Sequence, residues 1–112
     1  MTQRWVRIAT TGEVPEDEMV GLNVEGRAIG LYHIGSRIYA AEDVCPHARV
    51  LLSKGRFDGK VVECPIHAAR FNVVTGRRLS GPVCRDLHTY PVRIEGDAIL
   101  VDIEAIPLTR AL

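Results

Sequence analysis

The stretch DVCPHARVLLSKGRFDGKVVECPIHAARF, residues 43–71, holds Cys45 and His47 as Cys-x-His and Cys64 and His67 as Cys-x-x-His, with sixteen residues between His47 and Cys64. Four metal-seeking side chains at such spacing constrain the chain more than any other feature. With 112 residues and 46% hydrophobic content, the chain has the size of one domain with one core, so the two pairs must converge within it. The flanking residues differ and no low-complexity linker separates the pairs, so they are not an internal repeat. Three cysteines, an odd number, in a chain without a secretion signal argue against a disulfide framework and favour metal binding.

Thiolate and imidazole together suit zinc, iron and copper, whereas calcium and magnesium prefer oxygen. Structural zinc commonly pairs like with like, C-x2-4-C followed by H-x3-5-H. Here each pair is mixed, and no helix is expected between them to carry spaced histidines. A binuclear iron-sulfur cluster makes a different demand, because each of its two irons needs two protein ligands. Mixed pairs let each of two loops serve both irons.

The remaining sequence predicts strands and no helix. RWVRIA (4–9) and MVGLNVEG (19–26) contain short alternating stretches. RAIGLYHIGSRIYAA reads as two strands joined at Gly35-Ser36, and HTYPVRIEGDAILVDI as two joined at Gly96-Asp97. Each hairpin is expected to bury one face. EVPEDE (13–18), broken by Pro15, is expected to be a solvated loop. Residues 43–84 are rich in Gly and Pro and have only short apolar runs such as Val61-Val62, so they read as a loop-rich insert on a β scaffold.

Fourteen Lys and Arg balance fourteen Asp and Glu, which predicts no strong non-specific affinity for nucleic acid or anionic membrane. MTQRWVRIAT has no apolar run after its basic residues, and no stretch approaches the roughly 20 apolar residues of a membrane span. A soluble, unexported, cytoplasmic protein is expected.

The motif CPH, sixteen residues, CPIH, followed by FNVVTG with Phe71, Thr75 and Gly76, resembles the signature of the Rieske proteins. The similarity extends over essentially the whole chain, including YPVRIEGDAILVDI, and points to the ferredoxins of bacterial aromatic-ring-hydroxylating dioxygenases of the naphthalene and nitroarene type. The resemblance implies an all-β Rieske fold: a single domain over 1–112, an antiparallel β sandwich (1–42 and 85–112) with a small loop-rich cluster-binding subdomain inserted at about 43–84. It implies one 2Fe-2S cluster, with Cys45 and Cys64 on one iron and His47 and His67 on the other. Two imidazoles leave the oxidised core neutral, where four thiolates would leave it at about minus two, so reduction is less opposed and the potential rises. Gly81-Pro82-Val83 resembles the family's third loop, which shields the cluster. Ala68 stands where many soluble members have Gly, so a positive φ there would strain it.

Residues that are missing separate two branches of the family. Respiratory members carry an extra Cys in each cluster loop, and a Ser and a Tyr after the second His; here those places are Ala69 and Phe71, and CPHARV and CPIHAA hold no further Cys. Two hydroxyl hydrogen bonds to the cluster are thus lost, which predicts a potential in the lower part of the Rieske range. The resemblance implies a one-electron carrier, not itself an enzyme. Its expected partners are a flavoprotein NAD(P)H ferredoxin reductase and the terminal Rieske oxygenase of an aromatic-ring-hydroxylating system. Only His33 and His88 remain once the cluster is served, and a 2-His-1-carboxylate iron would need both together with a large substrate domain that 112 residues cannot provide.

The alternative reading is the Rieske-type small subunit of an assimilatory nitrite reductase; the third is a zinc-binding structural module. His33, His88, Trp5 and Tyr39 read as structural, and Cys84 as a small packed residue rather than a ligand. Arg49 and Arg70, close to ligand histidines, are candidates for docking. A monomer suffices.

Overall fold

The computed structural model of the chain describes residues 3–46, 48–66, 68–81 and 85–105. Among these the chain forms three antiparallel sheets and two single 3-10 turns, with no α-helix. The alternating patterns explain the first two sheets. β1 (Trp5–Thr10) pairs with β11 (Ala98–Asp102), which pairs in turn with β10 (Val92–Glu95), in the order β1-β11-β10. β2 (Met19–Val24), β3 (Arg27–Ile34), β4 (Arg37–Glu42) and β9 (Thr89–Tyr90) form the second sheet in that order. Both expected hairpins are present, with Gly35 at φ 60° and Gly96 at φ 64° supplying the positive φ that the first turn residue needs.

The third sheet lies wholly within the Gly- and Pro-rich middle. β5 (Arg56–Phe57), β6 (Val61–Glu63), β7 (Arg70–Asn72) and β8 (Arg78–Ser80) run in sequential order, each only two or three residues long.

Two cores hold the layers together. In the first, Ala9, Ile99, Val101 and Ile103 meet Val24, Ile29, Leu31, Ile38 and Ala40 between the first two sheets. In the second, Tyr32 and Ala41 meet Val62, Phe71 and Val73 of the middle region and Leu87 beyond it. Neighbouring residues of β3 and β4 thus contribute to different cores. This corrects the expectation of one buried face for the first hairpin: Ile29, Gly30, Leu31 and Tyr32 are all buried in succession. The physical reason is that the second sheet is covered on both sides, which removes the need for a polar face. The β10–β11 hairpin keeps its alternation, with Ile99 and Val101 buried.

The acidic loop is also corrected in part. Val14, 0% exposed, inserts into the first core, while His33 Nδ1 lies 2.7 Å from the Val14 carbonyl and the Asp17 amide donates to the His33 carbonyl at 2.9 Å. The carboxylates around it stay exposed. His33 is therefore structural, as expected. Asp102, 2% exposed, accepts the amides of Arg4 at 2.9 Å and Glu104 at 3.0 Å, so this buried carboxylate is satisfied by backbone. Trp5 packs beneath the Arg93 guanidinium, whose carbon is 4.3 Å from the ring centre.

Ile99 is fully buried between the first two sheets. Ile99→Ala should lower unfolding free energy by about 2–5 kcal/mol, with the urea dependence unchanged, in equilibrium denaturation of the loaded protein.

Candidate metal centre

The loop carrying Cys45 leaves β4 and is closed by backbone bonds. The Asp43 amide donates to the Ala28 carbonyl at 2.9 Å, the Leu52 amide to the Asp43 carbonyl at 2.7 Å, and the Cys45 amide to the Val50 carbonyl at 2.9 Å. The loop carrying Cys64 joins β6 to β7, and the Cys64 amide donates to the Ala69 carbonyl at 2.9 Å. Each cysteine therefore donates its amide to a carbonyl five residues on, and the same closure is built twice from different sequences. Both cysteines are 2% exposed and belong to the second core, with Leu52, Ala69 and Phe71.

A third segment reaches the same place. Gly81 has φ 96°, and a Cβ on it would lie 2.4 Å from Cα and 2.6 Å from the amide nitrogen of Ala69. Only glycine permits that approach to the second cysteine loop. This is where the third loop was expected; Pro82, Val83 and Cys84 lie outside the described residues.

Of the four expected ligands the structure brings Cys45 and Cys64 into one core, while His47 and His67 lie outside the described residues. Among the described residues no group of three or more His, Cys, Asp or Glu could hold a metal ion. Two buried thiol side chains, one on each of two similarly closed loops, fit a centre that spans both loops. Ala69 and Phe71 are both 0% exposed in the same core, so the two positions that could offer hydroxyls present only hydrocarbon. Ala68 is exposed, and the positive-φ residues other than glycine among those described are Asp17 and Glu25, so Ala68 carries no such strain.

Sequence reasoning missed a polar support beneath the first loop. Asp43, 1% exposed, accepts from the Ser53 amide at 2.8 Å and from the Ser53 hydroxyl at 2.5 Å, pinning the strand before Cys45 to the turn after it. Gly21 of β2 makes room: a Cβ there would be 2.3 Å from Ser53 Oγ and 2.6 Å from Asp43 Oδ2. Burial raises the Asp43 carboxyl above the ordinary carboxylate range, against the opposing pull of the Ser53 hydrogen bonds. Tyr32, 0% exposed, has a hydroxyl with no hydrogen-bond partner among the described residues, and its ring meets Phe57 edge-on with centroids 5.1 Å apart. Burial first, and the Asp43 charge second, push its phenol well above the usual range. The only advance signal was the DxC spacing of Asp43 to Cys45, which by itself names no partner.

Comparison with known proteins agrees with this geometry. The Rieske [2Fe-2S] domain model matches residues 4–91, and the chain belongs to that family. One 2Fe-2S cluster, held by two Cys and two His, is the family's cofactor. The ferredoxin component of the naphthalene 1,2-dioxygenase system of Pseudomonas aeruginosa is 40% identical over 103 residues, covering 92% of this chain and 99% of that one. A ferredoxin solved in the complex of reduced oxygenase and oxidized ferredoxin of carbazole 1,9a-dioxygenase superposes with a TM-score of 0.85 at 31% identity, over 94% of this chain and 98% of that one. The putative small subunit of an NADPH nitrite reductase superposes with a TM-score of 0.72 at 19% identity, over 88% of this chain and 97% of that one, and shares the fold alone. No helix among the described residues is long and apolar enough to cross a membrane.

The raised Asp43 carboxyl has a definite consequence for stability. In the interval between its unfolded and folded values, the folded protein holds a proton that the unfolded chain has lost, so this group's contribution to stability falls as pH rises through that interval. Asp43→Asn, which can keep both Ser53 contacts, should flatten that slope and leave the unfolding midpoint at neutral pH unchanged or higher. Asp43→Ala should cost about 1–3 kcal/mol across the pH range by orphaning the Ser53 amide. Thermal unfolding followed against pH distinguishes the two.

Proposed function

We propose that the chain is a Rieske ferredoxin: a one-electron carrier that receives electrons from a flavoprotein NAD(P)H reductase and delivers them to the terminal oxygenase of an aromatic-ring-hydroxylating dioxygenase system. The observation that carries this reading is the pair of buried cysteines, Cys45 and Cys64, on two loops closed by the same backbone bond. Their relatives support it: they are named as ferredoxin components of dioxygenase systems, matched over nearly their full length. We assign Cys45, His47, Cys64 and His67 as the ligands, and residues 43–84 as the cluster-binding subdomain. When bound, the cluster supplies a single reversible electron at a potential set by its ligands and surroundings.

The work of the polypeptide is to hold and to shield. Leu52, Val62, Ala69 and Phe71 exclude water from the two thiolates, which a metal keeps deprotonated at neutral pH. Gly81 lets the third segment close over the second loop. No hydroxyl at positions 69 or 71 stabilises added charge, which keeps the potential low, as suits a carrier placed between a flavin and an oxygenase. The oxygen chemistry belongs to the partner. A cytoplasmic location is part of the same proposal, because the reductase draws on NAD(P)H. The nitrite reductase alternative has support from fold alone.

Four measurements test this reading. Redox titration should place the midpoint at roughly −150 to 0 mV, and a value above about +100 mV would overturn assignment to the low-potential branch. Native protein should contain two irons and two acid-labile sulfides with the paramagnetic resonance of mixed Cys and His ligation. Cys45→Ser and His67→Ala should each lose the cluster and, with it, stability of the insert. Mixing reduced protein with candidate oxygenases, and with a nitrite reductase large subunit, then shows which partner re-oxidises it.

A further inference from the structure

The balanced net charge conceals a strong internal separation. Residues 43–84 carry seven Lys and Arg against three Asp and Glu, while the rest of the chain carries seven against eleven. One of the three acids, Asp43, is buried against Ser53 and adds nothing to the outer surface. The cations gather around the cysteine loops. Arg49, exposed, flanks an open groove formed by Val44, Cys45, Pro46 and Leu51, while Arg85 on the same groove is paired with the Glu42 carboxylate. On the other side, cross-strand pairing sets Arg56 opposite Glu63 and Glu63 opposite Arg70 beside Cys64, and the exposed Asp58 lies within electrostatic reach of Arg70, so the cations here meet two carboxylates. Arg70 and Glu63 approach only to 3.7 Å, and Arg49 makes no ion pair among the described residues. Ile66, 58% exposed, and Leu51, 39% exposed, supply apolar surface on the same two loops.

Exposed apolar residues with guanidinium groups nearby suit a small, transient interface whose rim selects by charge. We propose that the face around the cysteine loops is a cationic docking surface for a carboxylate-rich face on the redox partner protein, with Arg49, Arg56 and Arg70 reading that face. The proposal rests on the carrier reading and adds the sign of the partner's surface. A partner of this kind draws the positive end of the molecule toward itself although the carrier as a whole is neutral.

The test uses one acceptor in two charge states: cytochrome c, which is basic, and the same protein with its lysines succinylated, which is acidic. Reduced ferredoxin should be re-oxidised faster by the acidic form at low salt, that rate falling from about 20 to about 200 mM salt while the rate with the basic form rises. Arg49→Glu with Arg70→Glu should reverse the preference. Arg49→Glu alone should slow the acidic acceptor by about threefold or more at low salt, whereas Arg7→Glu, the same charge change on β1, should leave the rate within about twofold. A preference for the basic form, or equal rates with no salt dependence, would overturn the proposal. Retention on duplex DNA or anionic vesicles at physiological salt without discrimination between the acceptors would do so too. If the protein holds no reducible cluster, the carrier reading itself fails; if it is reduced normally yet ignores acceptor charge, only the docking proposal does.

Discussion

The amide of each cysteine donates to a carbonyl five residues ahead, Cys45 to Val50 and Cys64 to Ala69, and the candidate centre depends on this pair of closures. A metal centre shared by two loops needs both loops to hold their shape independently of each other, because neither has regular structure to rely on. The closure satisfies backbone groups that would otherwise be buried without partners and turns each chain sharply back toward its sheet. The Asp43 to Ser53 contacts brace the first loop from beneath, and the backbone of Gly81 presses on the second.

That core exists because the central sheet is buried on both faces. Leu31 points into the first core and its neighbour Tyr32 into the second. A sheet with one wet face would give the cysteine loops nothing apolar to rest on. Tyr32 shows what this location costs: its hydroxyl has no partner among the described residues, and its ring is retained for the surface it covers against Phe57 and the second core.

Much of this was legible in the sequence, and unevenly so. The Cys-x-His and Cys-x-x-His spacing identified the family because metal chemistry tolerates few arrangements of donors. Gly35-Ser36 and Gly96-Asp97 marked their hairpins because positive φ is a local demand. The β5 to β8 sheet was invisible as strands because elements of two or three residues carry no measurable period, and their pairing is decided by packing against Tyr32 and Ala41. Double burial of β3 was missed because alternation is informative only when one face meets water. Val14 looked like part of a solvated acidic loop, since nothing near it in sequence reports the first core. The Asp43 to Ser53 brace joins two residues that only the closed loop brings together.

Charge shows the same limit in another form. A net charge of zero excludes strong unspecific attraction to polyanions, and that argument holds for the chain viewed as a point. A carrier does not meet its partner as a point, because only the surface within a Debye length, about 8 to 10 Å, acts strongly at ordinary salt. The middle of the chain presents Arg49, Arg56 and Arg70 with the carboxylates Glu63 and Asp58, and most of the acids that neutralise the total lie on the other segments of the chain. Opposite charges held on separate parts of one small fold orient the encounter without adding net attraction. A carrier that must bind, transfer an electron and leave gains specificity this way while its affinity stays modest.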